Sequence, residues 1–106
     1  MGIFGFLFKG KAKKEEAIKT ALENQAIIVD VRTVEEFRSG HVKGAMNIPL
    51  HNLEAQSAKL AAKGKTIITC CRSGMRSKNA EAILKSKGID AINGGGWNSL
   101  QALINS

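Results

Sequence analysis

The sequence is poor in cysteine and histidine. Its 106 residues include two cysteines, which are neighbours at Cys70 and Cys71, and two histidines. Two thiols cannot form a disulfide framework, and a bond between neighbours is disfavoured because their Cα atoms lie ~3.8 Å apart, whereas disulfides prefer roughly 4.4 to 6.8 Å. The four residues lack the paired spacing of a zinc site, so we predict no metal. Unpaired thiols favour a reducing compartment.

Long apolar runs are also missing. No stretch approaches the ~20 apolar residues that a membrane-spanning helix needs. The N-terminal residues lack the basic start and the small-residue cleavage site of a secretory signal. The length fits one domain with a sheet covered by helices and is too short for two cores. We therefore predict a single cytoplasmic domain.

Apolar residues crowd the start of the chain, and lysines follow them directly. The apolar residues are Ile3, Phe4, Phe6, Leu7 and Phe8, and the lysines are Lys9, Lys11, Lys13 and Lys14. A short apolar segment followed by lysines can lie in a membrane interface beside anionic headgroups or dock on a partner. We therefore predict a tail, residues 1–14, with peripheral membrane contact through Ile3 to Lys14. In the alternative, this segment packs on the domain or is a frayed end.

The net charge of +7 raises the possibility of nucleic-acid binding. The lysines are scattered over predicted helices, however, and no nucleic-acid-binding motif accompanies them. We predict no nucleic-acid partner and instead a basic surface that attracts small anions.

From Glu15 onward the apolar pattern alternates between helix and strand periods. Helical spacing begins at Ala17 and recurs near residues 52–63, 75–87 and 100–104, and short apolar runs typical of buried strands lie at 26–29, 47–49, 66–70 and 89–93. Thr33 and Glu36 have the spacing of a helix capping box. This alternation predicts an α/β domain, residues 15–106, with parallel pairing, helices on both faces and a ligand site at the carboxyl ends of the strands.

A cysteine stands where the third apolar run ends and a helical pattern begins. The segment Cys71–Arg76 reads CRSGMR. Such a strand-to-helix turn aims backbone N–H groups and the positive end of the helix inward, so its centre should hold an anion. Because Arg72 and Arg76 bracket the turn, we expect the pKa of the Cys71 thiol to lie below its free value of ~8.5. The alternative is a buried structural thiol, which has no use for two neighbouring arginines.

Four segments in order resemble the single-domain rhodaneses, the thiosulfate sulfurtransferases. They are Asp30–Arg32 with Glu35–Phe37, then Gly40–Pro49, the loop Cys71–Ser77, and Gly94–Trp97. The departures are mild: Val34 stands where a proline is frequent, Cys70 where an aromatic is frequent, and Met75 at a variable position. The resemblance implies a rhodanese-like fold with a central parallel sheet of about five short strands.

The loop length leaves Cys70 as a second candidate for the nucleophile. Six residues from Cys71 to Arg76 match the sulfurtransferases of the resembled family, whereas its phosphatase and arsenate reductase relatives use seven, the count from Cys70 to Arg76. Successive side chains of a strand point to opposite faces, so Cys70 should turn into the core if Cys71 emerges into the loop. We therefore predict that Cys71 is the nucleophile.

The resemblance also implies a double displacement. Cys71 would take the outer sulfur of thiosulfate, or of a persulfide donor, as a persulfide and pass it to a thiol such as thioredoxin, glutathione or an acceptor protein. The implied substrate-binding residues are Arg72, Ser73, Gly74, Met75 and Arg76, and neither metal nor organic cofactor is implied. Two alternatives stay open: a phosphatase or arsenate reductase that uses Cys70, and a non-enzymatic module that carries or senses sulfur.

The remaining residues shared with the family are predicted to be scaffold. Asp30 ends a buried strand and can accept N–H groups, with Arg32 as a partner. A thiolate that its loop has already ionised needs no general base, so His41 is predicted to be structural. The glycines from Gly94 to Gly96 are expected to permit close backbone approach.

Overall fold

The computed structural model describes residues 3–106, with the side chains of residue 10 and of residues 12–106. Helices and strands alternate along the described chain. In order they are α1 (Ile3–Glu23), β1 (Ile27–Asp30), α2 (Val34–Arg38), β2 (Met46–Asn47), α3 (Leu53–Ala62), β3 (Ile67–Cys71), α4 (Met75–Ser86), β4 (Ala91–Gly96) and α5 (Trp97–Ile104). A 3₁₀ turn, Leu50–Asn52, leads into α3.

The strands form one parallel sheet with the order β2-β1-β3-β4. The predicted α/β fold with a parallel sheet is confirmed, but the predicted count of about five strands is wrong, since the described chain has four. The chain before β1, which could have supplied a fifth strand, is helical. Its composition explains this, because α1 is rich in lysine, alanine and glutamate, which favour helix over strand.

Helices cover both faces of the sheet, and the two cysteines belong to opposite faces. One core joins β1 and β3 to α3 and α4 and includes Val29, Ile67, Cys71, Leu60 and Leu84. The other joins the same strands to α1 and α5 and includes Ile18, Ile28, Ile68, Cys70 and Leu100. The period of two along β3 separates the neighbouring thiols, as expected. β3 runs one residue beyond its predicted end because Cys71 pairs with Gly96.

A buried ion pair closes the carboxyl end of β1. Asp30 and Arg32 are both buried, and Nε and Nη2 of Arg32 donate to the Asp30 carboxylate at 2.9 and 2.7 Å. Nη2 also donates to the Gly40 carbonyl at 2.6 Å, and the guanidinium carbon lies 4.9 Å from the centre of the Trp97 ring. The predicted pairing of Asp30 with Arg32 is confirmed. It connects β1 to the chain that follows α2 and to the start of α5.

β4 approaches β3 so closely that two of its glycines have no room for a side chain. A Cβ atom on Gly94 would lie 2.7 Å from the Thr69 carbonyl oxygen, and one on Gly96 would lie 2.9 Å from the Arg72 carbonyl oxygen. This confirms the expected role of the glycine run. The close approach brings the carboxyl end of β4 beside the segment that follows Cys71.

The predicted tail overlaps α1. The helix runs from Ile3 to Glu23 and so crosses the predicted boundary at residue 14. The division into tail and domain stays a prediction. Membrane contact through Ile3 to Lys14 also stays one, because most of the side chains on which it depends lie outside the described residues. Among residues 3–106, no helix is both long and apolar enough to cross a bilayer.

Replacing Gly94 by alanine is expected to destabilise the fold by about 1–3 kcal/mol, because the added methyl group meets backbone that cannot give way. Gly10→Ala is the matched control. Nothing lies within 4 Å of a carbon added to Gly10, so this change in α1 should be neutral or stabilising by up to ~1 kcal/mol. Urea unfolding of the three proteins measures both effects. Equal stability of Gly94→Ala and wild type would contradict the proposed role of the close approach.

Candidate active site

Cys71 ends β3, and backbone amides of the following turn surround its sulfur. The N–H of Gly74 lies 3.0 Å and that of Ser77 3.3 Å from Cys71 Sγ. Gly74 precedes the first residue of α4 and has a φ of 101°, a left-handed conformation that glycine adopts without strain. No side chain caps α4, so its free N–H groups are available to the sulfur. The turn is a site for an anionic sulfur.

Two opposing effects set the ionisation of Cys71. Burial acts to raise the pKa of the thiol. Hydrogen bonds that the ionised sulfur can accept, from the Ser77 hydroxyl and from the N–H groups of Ser77, Gly74 and Ser73, outweigh burial and hold the pKa below its ordinary value. The direction agrees with the expectation from the sequence. The cause differs, because hydrogen bonds from the turn contribute more than the charges of the two arginines.

The two arginines of the loop have different environments. Arg76 forms a bidentate pair with Glu36, with Nη1 to Oε1 at 2.8 Å and Nη2 to Oε2 at 2.9 Å. Arg72 is exposed and forms none of the ion pairs of the described chain. Much of the charge of Arg76 is therefore offset by a carboxylate, whereas the charge of Arg72 is exposed at the rim of the loop.

Glu36 has two tasks in this arrangement. It completes the predicted capping box, in which its Oε1 accepts from the Thr33 N–H at 3.0 Å, and it holds Arg76. The guanidinium of Arg76 and the N–H of Thr33 lower the pKa of the Glu36 carboxyl from 4.5 to about 2. The spacing along the helix predicts the capping box but not the ion pair, because the ion pair joins residues that are 40 positions apart.

The rim of the loop is exposed, while the sulfur lies beneath it. Cys71 is 1% exposed, whereas Met75 is 74% exposed and Arg72 and Ser73 are also exposed. Ser73 and Gly74 contribute backbone N–H groups to the sulfur. Met75 thus lies at the protein surface and does not line a closed pocket.

Cys70 lies in a different environment from its neighbour. It is fully buried in the core formed with α1 and α5. Burial, followed by the nearby Asp30 carboxylate, raises the pKa of the Cys70 thiol to about 12. A thiol protonated at neutral pH and shut in a core is a poor nucleophile, so the geometry disfavours chemistry at Cys70.

Neither histidine contacts Cys71 in the described chain. The Nδ1 of His41 bonds to the Phe37 carbonyl oxygen at 2.8 Å, and its ring stacks on Phe37 with centroids 3.7 Å apart. His51 lines a cavity of about 290 Å³ that Arg76 also lines. The expectation of a structural His41 fits this placement.

Sequence reasoning gives no role to Ser77, which lies beside the sulfur, or to Asn93, which contacts Ser77. Ser77 is in the first turn of α4 and Asn93 is on β4, and their side chains are hydrogen-bonded at 2.6 Å. The resemblance covers Ser77 as a motif residue. No local pattern links Asn93 to the loop, because the contact depends on the pairing of β4 with β3.

The fold and the site together define a small α/β protein in which backbone amides hold a cysteine sulfur at the carboxyl edge of a parallel sheet. The family described as Rhodanese-like domain matches residues 14–103. This chain belongs to that family.

Relatives of this chain include named sulfurtransferases. Thiosulfate sulfurtransferase PspE of Escherichia coli (strain K12) is 33% identical over 69 residues, which are 64% of this chain and 66% of PspE. YrkF of Bacillus subtilis (strain 168), a candidate sulfur carrier protein by name, is 31% identical over 85 residues, which are 80% of this chain and 41% of YrkF.

Solved structures confirm the fold. A rhodanese-like domain protein from Staphylococcus aureus superposes with a TM-score of 0.63 at 30% identity, over 82% of this chain and 86% of that chain. Several curated relatives are much longer, and the chain spans less than half of their length.

Alkylation with iodoacetamide should distinguish the two thiols. In a Cys70→Ala background, the rate at Cys71 should rise with pH and level off with an inflection below ~8.5, the free-thiol pKa. In a Cys71→Ala background, Cys70 should show no inflection before the pH approaches its pKa of about 12. A Cys71 inflection at or above the free-thiol value would contradict the amide arrangement.

The Glu36 carboxyl should make stability depend on pH. Because its pKa is depressed from 4.5 to about 2, its contribution is present above pH 4.5 and is lost as the pH falls toward 2. The ion pair is partly solvent-screened, so we expect Glu36→Gln to cost about 1 kcal/mol at neutral pH and progressively less in acid. Glu35→Gln, an exposed residue of the same helix, is the matched control. Urea unfolding at several pH values tests this, and a cost that does not change with pH would refute it.

Proposed function

We propose that this chain is a sulfurtransferase that carries a sulfane sulfur on Cys71. The observation that carries the proposal is the placement of Cys71 Sγ 3.0 Å from the Gly74 N–H and 3.3 Å from the Ser77 N–H, which stabilise a sulfur anion. The family relationship supports sulfur transfer in general, through relatives named as a thiosulfate sulfurtransferase and a sulfurtransferase. Thiosulfate is the donor that we propose for this chain.

The first half-reaction begins with the Cys71 thiolate. It attacks the outer sulfur of thiosulfate, the S–S bond of the donor breaks, and sulfite leaves with the electron pair. The product is a Cys71 persulfide, whose negative charge lies on the terminal sulfur within reach of the loop N–H groups. Exposed Arg72 attracts the dianionic donor, and the remaining loop residues Ser73, Gly74, Met75 and Arg76 shape the site in which the donor binds.

The second half-reaction returns Cys71 to its starting state. A thiolate of an acceptor attacks the terminal sulfur, and the Cys71 thiolate leaves, so charge and atoms balance. Acceptors of this chemistry include thioredoxin, glutathione and acceptor proteins, and cyanide replaces them in an assay. The exposed rim at Arg72, Ser73 and Met75 supports an acceptor that approaches at the protein surface.

A second candidate function is a module that carries or senses sulfur without turnover. The 1% exposure of Cys71 favours it, because a sulfur covered by its loop would exchange slowly with acceptors in solution. The partial match to YrkF is consistent with this alternative. A phosphatase or arsenate reductase at Cys70 is disfavoured by the burial and raised pKa of that thiol.

The proposal also covers the cellular setting of the chain. The chain would act in the reducing cytoplasm, where both thiols stay unpaired, as they are here. Residues Ile3 to Lys14 would add peripheral contact with an anionic membrane, through the apolar and basic residues of the sequence.

Incubation with thiosulfate should add one sulfur atom to Cys71, visible by mass spectrometry, and cyanide should then release thiocyanate. Cys71→Ala should lose both the adduct and turnover, while Cys70→Ala, the matched control, should keep both. An adduct without turnover would favour the carrier module. Turnover in Cys71→Ala, or aryl phosphate hydrolysis that Cys70→Ala abolishes, would refute the proposal.

A further inference from the structure

The Ser77 hydroxyl is shared between Cys71 and Asn93. Its oxygen lies 2.6 Å from Asn93 Oδ1, 3.1 Å from the Gly74 carbonyl oxygen and 3.4 Å from Cys71 Sγ. A hydroxyl has one proton to donate, so these three acceptors compete for it. The shortest contact is the one to Asn93. While Cys71 is a thiol, the hydroxyl therefore donates to Asn93 and the S–H of Cys71 donates to Ser77 Oγ.

The hydrogen bonds around Asn93 fix the direction of its side chain. Its Oδ1 also accepts from the Gly95 N–H at 2.9 Å, and its Nδ2 lies 3.4 Å from the Gly74 carbonyl oxygen. A reversed amide would set its NH₂ group against the Gly95 N–H, donor against donor. The backbone N–H of Asn93 donates to Glu81 Oε2 at 3.0 Å. The oxygen of the amide therefore faces Ser77.

An irregularity of β4 builds this arrangement. Thr69 pairs with Asn93 and Cys71 with Gly96, so β4 contains one residue more than β3 between the two pairs. Gly95, within the extra length, has a φ of 80°. The bulge orients the Gly95 N–H toward the Asn93 side chain. Asn93 itself lies against the loop that follows Cys71.

We propose that Asn93 is a positioning residue for the reaction at Cys71, because its side-chain oxygen draws the proton of the Ser77 hydroxyl away from the sulfur. When Cys71 ionises, the hydroxyl must leave a short hydrogen bond to serve the thiolate. The thiolate is therefore less stabilised, and more basic, than the N–H groups and a free hydroxyl would make it.

This restraint matters for turnover, a part of the inference that rests on the proposed function. The intrinsic nucleophilicity of a thiolate falls as its pKa falls, and the best attacking thiol has a pKa near the ambient pH. A sulfur stabilised by every available donor would be abundant as an anion but slow to attack. Asn93 limits that stabilisation and keeps Cys71 reactive toward its donor.

The other ionisable groups near Cys71 lie outside this contact. They are Arg72 and Arg76 of the loop and α4, Cys70 of β3, Asp30 and Arg32 at the end of β1, Glu36 of α2, Glu81 of α4, and His51 beside Arg76. In the described chain, none of their side chains is hydrogen-bonded to Ser77 Oγ or to Asn93 Oδ1. Substitutions at Asn93 and Ser77 leave all of these groups in place.

The test is a double-mutant cycle read by the pH dependence of Cys71 alkylation, in a Cys70→Ala background with iodoacetamide. Asn93→Ala should lower the inflection by about 0.5–1 pH unit, because the released hydroxyl then serves the thiolate. Ser77→Ala should raise it. In the Ser77→Ala background, Asn93→Ala should cause no further shift. Asn98→Ala, an exposed asparagine of α5, is the matched control and should change nothing.

The cycle separates positioning from a merely structural role. An unchanged or raised inflection in Asn93→Ala overturns the inference, and so does a shift of equal size when Ser77 is already alanine. If near-UV circular dichroism shows that Asn93→Ala is not folded, Asn93→Asp replaces it. Its carboxylate should raise the inflection, and an unchanged or lowered value overturns the inference.

Alkylation requires no sulfur transfer, so the two proposals fail separately. Expected shifts without a thiosulfate adduct would leave the hydrogen-bond competition intact and remove the proposed function. A thiosulfate adduct without the expected shifts would do the reverse.

Discussion

The structure depends on stabilising a sulfur anion in a place that water hardly reaches. Cys71 is 1% exposed, and among the described residues no cation is hydrogen-bonded to its sulfur. The Ser77 hydroxyl and backbone N–H groups at the start of α4 supply the stabilisation instead. The N–H groups are rigid and need no reorganisation when charge appears. The left-handed Gly74 and the close approach of β4 both serve to hold that turn against the end of β3.

Most of the charged groups near the turn are paired. Asp30 and Arg32 neutralise each other at the end of β1, and Glu36 neutralises Arg76 of α4. Arg72 is left at the surface. The innermost field is therefore set by amides, whereas the net charge of +7 acts over longer distances on anions that approach the protein. In the proposed function, different groups would therefore attract the donor by charge and activate the nucleophile.

The sequence predicts those features that local spacing determines. Alternation along β3 separates Cys70 from Cys71, the spacing of Thr33 and Glu36 predicts the capping box, and the glycine run predicts close backbone approach. The sequence does not predict the pairs Glu36–Arg76 and Ser77–Asn93. They join side chains 40 and 16 residues apart, and the second pair needs a one-residue bulge that no periodicity reveals. The predicted number of strands was wrong for a different reason. It followed from the family resemblance, whereas the sequence itself contains four apolar runs typical of strands.

In the proposed reaction, Cys71 first attacks the donor and later leaves the persulfide, and these two steps place opposite demands on its sulfur. Attack is fastest from a basic thiolate, and departure is fastest from a weakly basic one, so an intermediate basicity serves both steps. Burial raises the pKa of Cys71 while the turn donors lower it. Because these effects oppose each other, a competitor for one of the donors shifts the balance between them. The 2.6 Å hydrogen bond from Ser77 to Asn93 is such a competitor, because it takes the hydroxyl proton that the sulfur could otherwise accept. It gives the fold a means of setting the reactivity of its sulfur without altering the turn that binds it.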